Sequence, residues 1–235
     1  GGRSIRALAA ACPQLTELRL PTAHDGSCTV VEAVHEADVV CLAKGCCHLT
    51  LLRGPCASFG DAALSALGQH CAQLTELKLG QCHDNRVTNR GLCALAAGCR
   101  ALRIVDVTGG FVSDDHLGQR ADGVTDEGLC GLARACRGLT HLNIWCWRNI
   151  TDAGIETLAR HCVNLQELTA SRCAGLTDAS LRSLAMHIGP RLRSFQWPGD
   201  ADEGYAASGI TDAGLKAFLN SCPQMNDIGS GMLVF

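Results

Sequence analysis

Apolar and polar positions along the chain follow two patterns that alternate. In ITDAGIETLARHC, residues 150–162, the side chains of Ile155, Leu158, Ala159 and Cys162 fall three or four apart, which gathers them on one face of a helix. In the residues that follow, Leu165, Leu168 and Ala170 run as L-x-x-L-x-L, the pattern of a short strand buried on one side. A helix of about three turns followed by a short strand is therefore the predicted unit.

The unit recurs. Strand halves begin at CPQLTELRL (Cys12), CCHLTLLRG (Cys46), CAQLTELKL (Cys71), CRALRIVDV (Cys99), CRGLTHLNI (Cys136), CVNLQELTA (Cys162) and CPQMNDIGS (Cys222); GPRLRSFQW, from Gly189, lacks the cysteine. Successive starts are 34, 25, 28, 37, 26, 27 and 33 residues apart, so a shorter unit is stretched in three places. The extra residues fall in HDGSCTVVEAVHEA, SDDHLGQRADG and GDADEGYAAS, polar or Gly-rich segments that read as surface loops. Helical halves begin at FGDAAL (59), VTNRGL (87), VTDEGL (124), ITDAGI (150), LTDASL (176) and ITDAGL (210). The Thr-Asp pair is a helix start: the hydroxyl accepts from the free N–H groups of the first turn, and the carboxylate suits the positive end of the helix dipole. These pairs are read as caps and not as catalytic carboxylates. The whole chain, 1–235, reads as one array of about eight units.

The repeat also bears on His161-Cys162, a neighbour pair that taken alone suggests a catalytic thiol or a metal ligand. The residue before the repeat cysteine is Ala11, Gly45, His70, Gly98, Ala135, His161 or Ser221, so the histidine is incidental. A nucleophile is needed once, whereas this cysteine is used in seven units. It reads as a compact buried side chain where helix meets strand.

Sixteen cysteines on a chain this long, with seven at one repeat position, imply free thiols in a reducing, intracellular compartment and not a disulfide framework. The sequence contains no CxxC, and the Cys/His neighbours at 46–48, 70–71 and 82–83 lack the spacing of a zinc site, so neither a metal nor another cofactor is expected. A net charge of −3 without a basic cluster argues against nucleic acid and against an anionic membrane surface. No apolar run approaches the length of a membrane span. Phosphate-cradling, GxSxG and HExxH motifs are likewise missing from the sequence, and a non-enzymatic role is expected.

In an L-x-x-L-x-L strand the leucines turn inward and the residues between them turn outward. The outward ladder is then Glu17 and Arg19, Leu51 and Arg53, Glu76 and Lys78, Ile104 and Asp106, His141, Asn143 and Trp145, Glu167 and Thr169, Ser194 and Gln196. A mixed-charge row is no enclosed small-molecule pocket and suits a polypeptide partner, held on this face or at the loop edge. The candidate partner-binding residues are Glu76, Lys78, Asp106, His141, Asn143, Trp145 and Glu167. Trp145 is the anchor candidate in a chain that is 4% aromatic, the alternative being that it covers the edge of the core. Trp147 and Trp197 are read as packing, and charged ladder residues can equally form a plain solvated face.

The unit C-x-x-L-x-x-L-x-L-x-x-C-x-x-I-T-D-x-x-L-x-x-L-A-x-x-C, best seen in CAQLTELKLGQC, CRGLTHLNIWCWRNITDAGIETLARHC and CVNLQELTASRCAGLTDASLRSLA, resembles the cysteine-containing leucine-rich repeat. The resemblance implies an α/β solenoid with a parallel sheet on a concave side and helices on a convex side. It also implies a protein-binding role: either a structural or regulatory subunit of a large assembly, such as the axonemal nexin–dynein regulatory complex of the cilium, or an F-box substrate receptor of a cullin-RING ubiquitin ligase. The first of these is preferred. The chain opens at GGRSIRALAAAC, within a helical half, so a capping or F-box region is expected ahead of Gly1.

Overall fold

The computed structural model describes residues 2–20, 34–54, 58–79, 84–107, 123–197 and 209–229. Most of the three insertions, including 113–122, lies outside the described residues; the last residues of the first one, from Val34, lead into a helix. The chain divides into two compact units, Gly1–Asp122 and Gly123–Phe235.

The first unit runs α1 (Gly2–Ala11), β1 (Glu17–Arg19), α2 (Glu36–Gly45), β2 (Leu51–Arg53), β3 (Ser58–Gly60), α3 (Asp61–His70), β4 (Glu76–Lys78), β5 (Asp84–Arg86), α4 (Asn89–Gly98) and β6 (Ile104–Asp106). Strands β1, β2, β4 and β6 lie side by side in that order, all parallel. Strands β3 and β5 form a separate parallel pair. The second unit runs α5 (Asp126–Ala135), β7 (His141–Asn143), α6 (Asp152–His161), β8 (Glu167–Thr169), α7 (Asp178–His187), β9 (Ser194–Gln196), α8 (Asp212–Asn220) and β10 (Asp227–Gly229). Its strands β7 to β10 are again parallel and adjacent in chain order. Within each unit every helix packs on the next. Both units are thus α/β stacks of the leucine-rich-repeat kind, one strand of the main sheet and one helix to a repeat, with β3 and β5 as additional short strands in two repeats of the first unit.

The period-two reading of the strands holds for the inward positions, whereas two positions of the outward row, Leu51 and Glu76, are also buried. The middle residues Leu52, Leu77, Val105, Leu142, Leu168 and Phe195 are buried, and so are Leu49, Leu74, Leu102, Leu139, Leu165 and Leu192 three positions earlier. The buried helix positions Leu64 and Leu67, Leu92 and Leu95, Leu129 and Leu132, Ile155 and Leu158, Leu181 and Leu184 face them three apart.

The repeat cysteine caps the C-terminal end of helices α2 to α6, and its thiol ties several of them to the repeat before. Cys46, Cys71, Cys99, Cys136, Cys162 and Cys222 are buried free thiols. The Cys99 thiol donates to the carbonyls of Cys71 and Leu67 at 3.2 and 3.5 Å, and the Cys162 thiol reaches those of Cys136 and Ala133, both at 3.7 Å. Cys46 donates to the Cys12 carbonyl at 3.3 Å, and Cys71 to those of Cys46 and Ala43. A side chain expected to act as a small hydrophobe is therefore also a weak donor to carbonyls at the preceding helix end, most of which already accept one backbone N–H. In the repeat that lacks cysteine, Ile188 takes the place: its N–H donates to the Leu184 carbonyl at 2.9 Å, as Cys162 does to Leu158 at 2.8 Å.

The Thr-Asp pair divides its work between two repeats. Each threonine caps its own helix: Thr88, Thr125, Thr151, Thr177 and Thr211 accept from the N–H of Arg90, Glu127, Ala153, Ala179 and Gly214. Asp61, Asp126, Asp152 and Asp178 reach forward to the threonine of the next repeat. Asp61 takes the N–H and hydroxyl of Thr88 at 2.8 and 2.6 Å, Asp126 those of Thr151 at 2.9 and 2.5 Å, and Asp178 those of Thr211, both at 2.8 Å. The glycine three residues after each of these threonines leaves the room required. A Cβ at Gly91, Gly154 or Gly214 would run into the carboxylate of Asp61, Asp126 or Asp178. In α3 the cap position is Gly60, which has no side chain, and Glu36 of the preceding helix substitutes by accepting from Ala62 and Ala63 at 3.0 and 3.2 Å.

Candidate functional site

With the helix side committed to caps and inter-repeat ties, the strand faces carry the side chains left for other work. In the first unit register places Glu17, Leu51, Glu76 and Ile104 in one row and Arg19, Arg53, Lys78 and Asp106 in the other. Neighbouring strands are about 4.8 Å apart, so each row is continuous along the four strands. Arg19 pairs with Glu17 at 3.0 Å, and Arg53 pairs with Glu76 on the adjacent strand. Glu76 is only 7% exposed; its carboxylate is held by Arg53 and the half-buried Lys78 lies at the other end of its own strand. Three cations in one row meet two carboxylates in the other. Asp106, half-buried, closes the basic row.

In the second unit the rows are His141, Glu167, Ser194 and Asp227, and Asn143, Thr169, Gln196 and Gly229. His141 Nε2 lies 3.2 Å from Glu167, and its Nδ1 lies 2.7 Å from the Thr140 hydroxyl. Ser194 donates to Asp227 at 2.8 Å. Glu167 is exposed; His141 and Asn143 are half-buried. This face is weakly charged and rich in groups that both donate and accept, in contrast to the cationic row of the first unit.

Trp145 is not on a strand. Strand β7 ends at Asn143, and Trp145 is in the turn beyond it, its N–H donating to the Asn143 side-chain oxygen at 2.9 Å. Its ring is half-buried and carries the Arg172 guanidinium at 5.2 Å from the centroid. Trp147 is buried at 7% exposure; it fills the place that Cys173 fills one repeat later. Trp197 follows β9 directly and is half-buried, its N–H bonded to the Gly229 carbonyl at 3.1 Å. Within the first unit the structure brings Glu76, Lys78 and Asp106 together, and within the second His141, Asn143 and Glu167, with Trp145 at the rim. Arg172 escaped the sequence reading because a turn residue carries no periodic signal; the one clue was an arginine beside the second cysteine of its repeat.

The His161-Cys162 pair has no shared chemistry. His161 Nδ1 is 2.9 Å from the Thr157 carbonyl of its own helix, while burial pushes the Cys162 thiol up to about 12, the wrong direction for a nucleophile at neutral pH. Cys71 is likewise raised to about 12 by burial. Among the described residues, no three His, Cys, Asp or Glu side chains gather as a metal ion would require, and no helix is long and apolar enough to cross a membrane.

No protein-family model matches the sequence, and no curated protein matches it. Among solved structures, the chain is similar to the crystal structure of the Rad7 and Elc1 complex in yeast, with 16% identity over 90% of this chain and 77% of that chain and a TM-score of 0.29. A superposition that loose carries no argument, so the functional reading rests on the chain's own residues.

Proposed function

We propose that this chain is a non-catalytic protein-binding scaffold that holds a polypeptide on the outward rows of its strands. The observation behind this reading is the division of labour between the two sides. The recurring cysteines, threonines and aspartates are taken up by caps and inter-repeat hydrogen bonds, whereas the strand rows vary from repeat to repeat. Repeat arrays use an extended surface of this kind to recognise extended partners. Binding through Glu76, Lys78, Asp106, His141, Asn143, Trp145 and Glu167 draws on side chains that can form charge-assisted and neutral hydrogen bonds, with one aromatic anchor. On this reading the protein works inside the cell and needs no cofactor.

The preferred biological setting is a structural or regulatory subunit of a large assembly, such as an axonemal complex. The alternative is substrate reception for a cullin-RING ubiquitin ligase. Affinity purification of the full-length protein separates them, since stoichiometric recovery of the ligase adaptor selects the second. The scaffold reading itself is tested by a photocrosslinking residue placed at Asn143 on the strand face or at Glu156 on helix α6. Capture of one discrete partner from Asn143 and not from Glu156 supports it; capture from Glu156 alone overturns it.

A further inference from the structure

The second unit separates its charges along the helix axes. Carboxylates gather where the helices begin, at Asp126, Glu127, Asp152 and Asp178, and all but Glu127 are taken up by the threonine of the next repeat. The segments that lead from each helix into the next strand are RACRGLT (134–140), RHCVNLQ (160–166) and HIGPRLR (187–193). They hold five arginines and no Asp or Glu. The Gln166 N–H donates to the Thr140 carbonyl and the Arg193 N–H to the Gln166 carbonyl, both at 2.8 Å, so the strand entries lie side by side in steps of about 4.8 Å. The sequence spreads these arginines over three repeats, and only the stacking brings them to one edge.

A cation in the last turn of a helix is the ordinary complement of the helix dipole, and that accounts for Arg134 and Arg160, the latter also paired with Glu156 at 2.6 Å. Arg137, Arg191 and Arg193 follow the helix ends and are exposed. Among the described residues, no carboxylate lies within ion-pair distance of these three. Arg137 alone is partly engaged, its Nε donating to the Arg134 carbonyl at 3.4 Å. Helix capping does not require the others: the Leu132, Leu158 and Leu184 carbonyls already accept the N–H of Cys136, Cys162 and Ile188. Nor does strand entry, since Thr140 and Gln166 stand in the two preceding repeats where Arg193 stands in the third.

We propose that the helix-to-strand edge of the second unit, at Arg137, Arg191 and Arg193, is a docking surface for an acidic polypeptide segment, separate from the strand rows. A guanidinium fork binds a carboxylate through two parallel N–H···O bonds, and three such forks with no carboxylate among them complement a run of Glu or Asp. The three segments contain no Phe, Tyr or Trp, so the edge offers no platform for stacked bases. That favours a polypeptide over a single-stranded nucleic acid.

The test uses the whole chain and a fluorescein-labelled peptide of alternating Glu and Gly, with its Gln counterpart as control, followed by fluorescence anisotropy. The Glu peptide binds, the Gln peptide does not, and binding weakens as salt rises. Changing Arg137, Arg191 and Arg193 together to Gln weakens binding about tenfold or more, since three charge-assisted contacts are lost at once. The melting temperature holds, because all three side chains are exposed. A charge-matched control, with Gln at Arg90, Arg182 and Lys216 on the exposed sides of helices α4, α7 and α8, leaves binding unchanged. Equal binding of the Gln peptide, undiminished binding by the edge variant, or an equal loss in the control overturns the proposal. So does an oligothymidylate that binds through the three arginines when the Glu peptide does not. Failure here leaves the Asn143 crosslinking result standing, so the two ideas fall separately.

Discussion

The Asp152 carboxylate accepts the N–H and the hydroxyl of Thr177, one repeat further on, at 2.9 and 2.7 Å, and takes the Ser180 N–H as well at 3.1 Å. The Ser180 hydroxyl donates to the same carboxylate. One side chain at the start of helix α6 therefore satisfies three first-turn groups of α7 together with the serine hydroxyl, stapling consecutive repeats on the helix side. Asp152→Ala should destabilise the protein by about 1–3 kcal/mol, because several partly buried donors lose their acceptor at once. A double-mutant cycle with Thr177→Val, read from urea midpoints, should show coupling between the two sites. Strict additivity would mean that the contact contributes nothing.

Acid should loosen this ladder. Burial works to raise Asp152, but hydrogen bonds from Ser180 and Thr177 outweigh it and hold the carboxyl below its usual value. Asp178 is lowered by the backbone and side-chain hydrogen bonds of Thr211. Asp38 is lowered despite burial by the His35 N–H and by Arg6, whose guanidinium lies 2.6 Å away. A carboxyl whose folded pKa lies below its unfolded one contributes stability above the unfolded value, about 4, and loses it as pH falls through the folded value. Urea midpoints should therefore stay level from neutral pH to about 5 and drop below about 4. Asp152→Asn should flatten that acid limb; an unchanged limb would show that Asp152 does not carry it.

Thiol reactivity offers an independent check on the core. Cys41 and Cys47 are exposed, whereas Cys71, Cys99, Cys136 and Cys162 are fully buried. Burial also raises Cys222, to about 11. Without denaturant, a thiol reagent should modify Cys41 and Cys47 quickly and the repeat cysteines only on unfolding. Rapid modification of Cys71 and Cys162 would contradict the packing. Cys162→Ser should cost roughly 1–3 kcal/mol, since an oxygen held closer to its own Cβ falls short of carbonyls already 3.7 Å from the sulfur.

The sequence made the strands legible to the residue. Glu167 and Thr169 face out and Leu168 faces in because the period of two permits no other assignment once one leucine is buried. The helix starts were legible from threonine, and the burial of Cys162 from its fixed phase. The forward reach of Asp126 and Asp152 was not, because a Thr-Asp pair signals a cap within its own helix and says nothing of the next repeat. The glycine or serine two residues after the aspartate was the missed signal, since Gly154 and Ser180 occupy the spot that the preceding carboxylate fills. Trp145 was placed on the ladder by extending the alternation two residues too far; the strand stops at Asn143, whose side chain takes the Trp145 N–H. Glu76 illustrates the reverse limit, as a charge on the outward row can still be buried when Arg53 on the next strand pairs with it.

The most direct test of the scaffold reading is Trp145→Ala, measured both as affinity for the partner captured through Asn143 and as melting temperature. The account predicts a loss of about 2 kcal/mol or more in binding with the melting temperature nearly unchanged, because the ring is half-buried at a turn and lies outside the sealed core. Retained binding with early melting would make Trp145 a structural residue and contradict the claim that this surface holds a partner.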